Sequence, residues 1–199
     1  MTKNFQKLSQ SIMISSKEKL LLLGNKIPQN YFVTSGIGQS DITIHAGSYH
    51  LALKEAGIYK CNIVNYSSIL PAIATEIEKP NNFIHGSVLE TIMACANVQK
   101  GQRATAGIII GRLYNKITGK KYGGLVCEYG GSDTDEEVRK QLQMSLNELF
   151  SNGFSKTYEL KDLKIKTVSF VPTKNFGTAL VALCFMDYIC PILGVSKTS

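Results

Sequence analysis

Residues 103–131, RATAGIIIGRLYNKITGKKYGGLVCEYGG, decide how this chain folds. Two apolar runs flank the polar, glycine-bearing KITGKK, and the pattern predicts strands 103–115 and 121–131 paired across it. Glycines at 123–124 and 130–131 bracket the second strand, as at a sheet bend or where another backbone approaches closely.

The clearest helix follows directly, in SDTDEEVRKQLQMSLNELFSNG at 132–153. Asp133 is placed to cap it, acids fill its first turn, and Val138, Leu142, Leu146 and Phe150 recur four apart. Gly153 is its stop. Upstream, HAGSYHLALKEAG (45–57) sets Ala46, Tyr49, Leu53 and Ala56 on one helical face, ending at Gly57. His50 lies one turn from Ala46 and Leu53, which predicts a place near that buried face. SSKEKLLLLGNKIP offers a capping box from Ser15 to Glu18, a short helix and a stop at Gly24. YFVTSGIG (31–38) reads as a strand ending in a glycine turn, and KCNIVNY (60–66) as another strand. Segments 156–171 and 176–189 are β-rich. Residues 1–14 look like a loosely attached extension. No linker or repeat divides the chain, so the expectation is one α/β sandwich with helices covering sheet faces.

The 199 residues suffice for one domain with a substantial core. Charged residues, at 19%, are sparse, which argues against disorder and points to surface covered by partner subunits. The net charge of +7 comes from scattered lysines rather than a basic stripe, so a nucleic-acid partner is not expected. No run approaches a membrane span or a signal h-region. Cys61, Cys95, Cys127, Cys184 and Cys190 are odd in number and lack CxxC spacing. Neither a disulfide framework nor a metal site is expected, and a reducing cytoplasm is.

Chemistry is sought in CNIVNYSSILP, 61–71. An apolar strand delivers Ser67 and Ser68 just before Pro71, which stops sheet pairing. By residues alone this is a hydroxyl-rich turn or a placed nucleophile. Standard motifs do not decide, because TSGIGQS lacks a third glycine and neither GxSxG nor HExxH occurs.

Five segments in order carry a resemblance: KIPQNYFVTSGIG, ALKEAGIYKCNIVNYSSILP, HGSVLETIMA, GGLVCEYGG and FGTALVALCF. Together they resemble the pyruvoyl-dependent arginine decarboxylase family, over residues 27 to about 187. The resemblance implies a four-layer α/β/β/α sandwich at 27–199, preceded by an extension at 1–26. It implies a homotrimer of cleaved protomers, with active sites between neighbours. It also implies self-cleavage into a β chain, 1–67, and an α chain, 68–199. The Ser68 hydroxyl would attack the Ser67 carbonyl, and β-elimination and loss of ammonia would leave a pyruvoyl group at position 68. A substrate amine forms a Schiff base with that group, which acts as the electron sink that pyridoxal phosphate provides elsewhere, so neither pyridoxal phosphate nor a metal is expected.

By the same resemblance Asn62 assists processing, Glu128 donates the proton, and His50, Leu53 and Ser67 line the substrate site. Glu128 lies in an apolar strand, where desolvation raises a carboxyl pKa; an edge-strand charge is its plain alternative. Leu53 otherwise reads as core, and Asn62 as a strand-edge amide. Glu90 resembles a position in the family's bacterial branch, without an assigned role. His50 is a departure, because the family has an aspartate there that holds the substrate guanidinium, and imidazole offers no bidentate acceptor. The expected reaction is L-arginine to agmatine and CO2. The alternatives are the same chemistry on another amino acid, or a non-catalytic trimeric interaction protein.

Overall fold

The computed structural model describes residues 19–197, which belong to two compact units. One is Pro28–Tyr188. The other takes the chain's two ends, where strand Lys19–Leu23 runs antiparallel to Ile192–Lys197. The helix predicted after Ser15 is therefore not formed at Lys19–Leu23, and its capping box at Ser15–Glu18 lies outside the described residues. Leucine's helix propensity is a weak preference, and ladder bonds to the far end of the chain override it.

In the unit Pro28–Tyr188 two sheets stack. The first contains β1 (Asn30–Ser40), β2 (Asn62–Asn65), β4 (Thr75–Glu76), β5 (Val88–Gln99) and β9 (Phe176–Phe185), in the order β2-β5-β9-β1-β4. The second contains β3 (Ile69–Pro71), β6 (Ala104–Asn115), β7 (Lys121–Gly131) and β8 (Tyr158–Phe170), in the order β8-β6-β7-β3. The hairpin that opened the sequence reading is the β6–β7 pair, antiparallel from Thr105↔Gly131 to Tyr114↔Lys121.

Strand alternation builds three cores from these two sheets. Along β9, Ala179, Val181, Leu183 and Phe185 face the middle core, while Leu180, Ala182 and Cys184 face the helix α1 (His50–Ala56). Along β6, Ala106, Ile108 and Ile110 face the middle core, while Ile109 and Leu113 face Val138, Leu142 and Leu146 of α2 (Asp135–Gly153). The result is the expected four-layer order, helix, sheet, sheet, helix.

Close contact between α1 and its sheet explains why the predicted glycine turn is absent. A Cβ on Gly36 would stand 2.2 Å from Ala52 O, and one on Gly38 2.1 Å from Ser48 O. The glycines thus lie inside β1, where they let the helix backbone approach. The helix itself begins with a π-helical turn, Ile44–Tyr49, in which Ser48 N–H reaches Thr43 O. That wider turn changes the phase of the buried face. Ser48, Ala52, Leu53 and Ala56 are buried, whereas Ala46 and His50 are exposed, so His50 does not join the apolar face as expected. Gly57 ends the helix as predicted, with a left-handed φ of 78°.

At α2 the cap is Thr134, one residue beyond the expected Asp133. Thr134 and Glu137 form a reciprocal capping box, and the first-turn acids Asp135, Glu136 and Glu137 complement the helix dipole.

Candidate active site

The chain leaves the first sheet at the end of β2 and enters the second at β3, so Tyr66, Ser67 and Ser68 form the crossing between sheets. Backbone bonds hold both serine carbonyls in this crossing. Ile69 N–H donates to Ser67 O at 3.0 Å, closing a three-residue turn around Ser68. Val126 N–H of β7 donates to Ser68 O at 2.9 Å. Antiparallel pairing of Ile69 with Leu125 and Leu70 with Gly124 then fixes the register.

That register places Ser68 beside Glu128, and the Ser68 hydroxyl donates to Glu128 Oε2 at 3.1 Å. Glu128 shares the inter-sheet face of β7 with Val126, whose side chain is in the middle core. The carboxylate sits at the margin of the single chain, yet protein crowds it enough for desolvation to push its pKa above the ordinary carboxylate range. The Ser68 hydrogen bond acts in the opposite direction. Such a carboxylate accepts a proton from a neighbouring hydroxyl and releases it at higher pH than a solvated one.

The remaining predicted residues stand apart from this pair within one chain. Asn62 opens β2, while Ser67 follows its end; the four residues of the strand alone span about 13 Å at its usual rise. Asn62 Nδ2 donates instead to Gly86 O at 2.9 Å. Leu53 is buried in the helix–sheet core. His50 sits on the exposed side of α1, edge-on to Tyr59 at 5.7 Å between ring centres.

Glu90, on β5, belongs to a cluster that the sequence did not reveal. Burial, with smaller contributions from Glu90 and Tyr66, pushes the Tyr188 phenol far above its ordinary pKa. Tyr66 directly precedes Ser67, and its ring packs on Phe185 at 5.7 Å. The donors Ile69 N–H and Val126 N–H were equally illegible, because backbone groups leave no side-chain signature. Thiol chemistry is not favoured: burial holds both Cys95 and Cys127 up at about 11, and every cysteine among the described residues is free. No cluster of three metal-ligating side chains occurs among the described residues, and no helix there is long and apolar enough to cross a membrane.

Known proteins resemble this chain over most of its length. The family model for pyruvoyl-dependent arginine decarboxylase matches residues 30–190. A pyruvoyl-dependent arginine decarboxylase of Methanopyrus kandleri is 32% identical over 141 residues, covering 71% of this chain and 87% of that protein. The Chlamydia muridarum pyruvoyl-dependent arginine decarboxylase AaxB is 33% identical over an alignment covering 83% of this chain and 94% of its own. A Thermococcus kodakarensis relative of the same name is 26% identical, with 80% and 95% covered. The fold and the match together define the class, a decarboxylase. The chain belongs to the pyruvoyl-dependent arginine decarboxylase family.

Proposed function

We propose that this chain cuts itself between Ser67 and Ser68 and decarboxylates L-arginine to agmatine with the pyruvoyl group so formed. The observation that carries the reading is the 3.1 Å hydrogen bond from the Ser68 hydroxyl to Glu128, where the chain passes from β2 of the first sheet to β3 of the second.

In the first stage Glu128 takes the hydroxyl proton as Ser68 Oγ bonds to the Ser67 carbonyl carbon. Ile69 N–H already donates to the Ser67 oxygen, where negative charge develops. The Ser67–Ser68 amide bond then breaks, and its nitrogen takes a proton. Removal of the Ser68 Cα proton expels Ser67 as a carboxylate and leaves dehydroalanine. Tautomerisation to the imine, addition of water and loss of ammonia complete the group. Ser67 becomes the carboxyl end of the β chain.

The pyruvoyl group supplies a ketone that condenses with the substrate amine and an adjoining amide carbonyl that takes up electrons as CO2 departs. The surroundings suit it. Val126 N–H donates to the oxygen that becomes this amide carbonyl, so it stabilises charge arriving there. Loss of the Ser68 hydroxyl removes the hydrogen bond that lowered the Glu128 pKa, leaving desolvation dominant. Glu128 is then better able to hold the proton that it delivers to the substrate carbon.

His50, Leu53 and Asn62 stand away from Ser68 in their own chain, which favours a trimer whose neighbouring copies complete each site. The cytoplasm suits its free thiols. A second reading keeps the mechanism and changes the amino acid, because the exposed His50 replaces the family's guanidinium-binding aspartate.

Release of CO2 from arginine, measured against a panel of basic, acidic and neutral amino acids, tests the substrate. Agmatine as the dominant product is expected, and preference for an acidic or neutral amino acid would replace it by the second reading. Ser68→Ala is expected to leave an uncut, inactive chain, and normal processing of that variant would refute the assignment of Ser68.

A further inference from the structure

Arg112 is the one charged side chain in the apolar run of β6, ATAGIIIGRLYN. Its strand partner is Gly124, where an added Cβ would stand 3.4 Å from Arg112 Nη1. The arginine is only 9% exposed. Its Nη2 donates to Tyr31 Oη at 2.7 Å, and its guanidinium carbon lies 5.4 Å from the centre of the Tyr31 ring. Nη1, however, has no hydrogen-bond partner among the described residues, and the ion pairs among those residues do not include Arg112.

Around this guanidinium opens a cavity of about 370 Å³, lined by Tyr31, Arg112, Tyr114, Lys121, Asp162 and Lys164 among others. Lys121 brings a second cation, and its Nζ makes only a long bond of 3.4 Å to Ala74 O. Desolvation, then the charge of Arg112, hold the Lys121 pKa below its ordinary value; Asp162 opposes them more weakly. The acids of the lining already have partners. Glu76 pairs with Lys164, and Asp162 accepts from the Tyr114 hydroxyl at 2.6 Å. Tyr31 accepts from Arg112, so its own hydroxyl proton is available to another acceptor, and burial keeps that proton on.

A buried guanidinium with an unused donor, beside a second and partly desolvated cation, is costly unless an acceptor of opposite charge is present. The planar fork of arginine matches carboxylate and phosphate oxygens. We propose that this cavity binds a small oxyanion, a carboxylate or phosphate group, held by Arg112 and Lys121 with the Tyr31 hydroxyl as a third donor. The site is distinct from the Ser68–Glu128 pair. Along the hairpin, Gly124 and Glu128 are four residues apart, about 13 Å.

Calorimetric titration of the full chain with inorganic phosphate and, separately, with acetate tests this directly. Ionic strength is held constant with chloride. Saturable binding of one anion per chain is expected, weakened roughly tenfold or more in Lys121→Met and in Arg112→Met. Whichever anion binds identifies the class of ligand. Arg112 is buried and its loss endangers folding, so Lys121, which is only partly buried, provides the decisive variant. No saturable heat with either anion would overturn the proposal, as would binding unchanged in Lys121→Met. A changed affinity in Glu128→Gln, in either direction, would also overturn it, by placing the anion at the other site. Because the readout is binding, failure here leaves the decarboxylase reading untouched, and the reverse holds too.

Discussion

Glu128 and Arg112 lie on the same inter-sheet face of one hairpin, four register positions apart, yet protein surroundings act on them in opposite ways. At the Glu128 end a carboxylate has lost solvent and gained a single hydroxyl donor, so its proton is held more tightly. At the Arg112 end a buried cation faces a second cation, and desolvation loosens the proton of Lys121. Loss of solvent favours the neutral form in both places. A neutral carboxyl group is useful as a proton donor, whereas a guanidinium cannot become neutral and must find an anion. Two ends of one apolar layer therefore suit different tasks, one chemical and one of recognition.

The largest effect expected from this contrast is at Glu128. Glu128→Gln is predicted to lower decarboxylation by roughly 10²–10⁴-fold, measured on chain whose cleaved fraction has been determined. The donor must be protonated, and its pKa is raised, so wild-type activity should fall as pH rises through a value above the ordinary carboxylate range. That falling limb should vanish in Glu128→Gln. A limb at an ordinary carboxylate value would deny the desolvation argued here.

Tyr31→Phe acts at the other end. It strips Arg112 of its acceptor and should destabilise folding by about 1–3 kcal/mol in a denaturant titration, while leaving chain cleavage unchanged. Impaired cleavage would show that the two ends are not independent. Smallest is Thr134→Ala, which removes a helix cap remote from both and should cost about 1 kcal/mol with neither anion binding nor cleavage affected.

Much of this arrangement was legible in the sequence. The hairpin at 103–131 and the helix at 132–153 announced themselves because apolar runs, caps and glycine stops agreed locally. Gly57 marked its helix end for the same reason. Where tertiary contacts decide, local pattern failed. Lys19–Leu23 became a strand because its partner is at the far end of the chain. Gly36 and Gly38 looked like a turn, but they serve a helix backbone pressed against the strand. His50 changed faces because a π-helical turn altered the phase. Ser68 and Glu128, sixty residues apart, were joined by a resemblance and not by any periodicity. Arg112 did leave a signal, a lone cation among apolar neighbours, but its meaning depended on Tyr31 and Lys121 arriving from other strands.

The denatured mass spectrum of the purified protein tests the central claim most directly. The account predicts two species, residues 1–67 and 68–199, the latter without the amine of Ser68 and reactive toward carbonyl reagents. A single intact chain of unmodified mass would contradict it and leave Ser67 and Ser68 as a turn between two sheets.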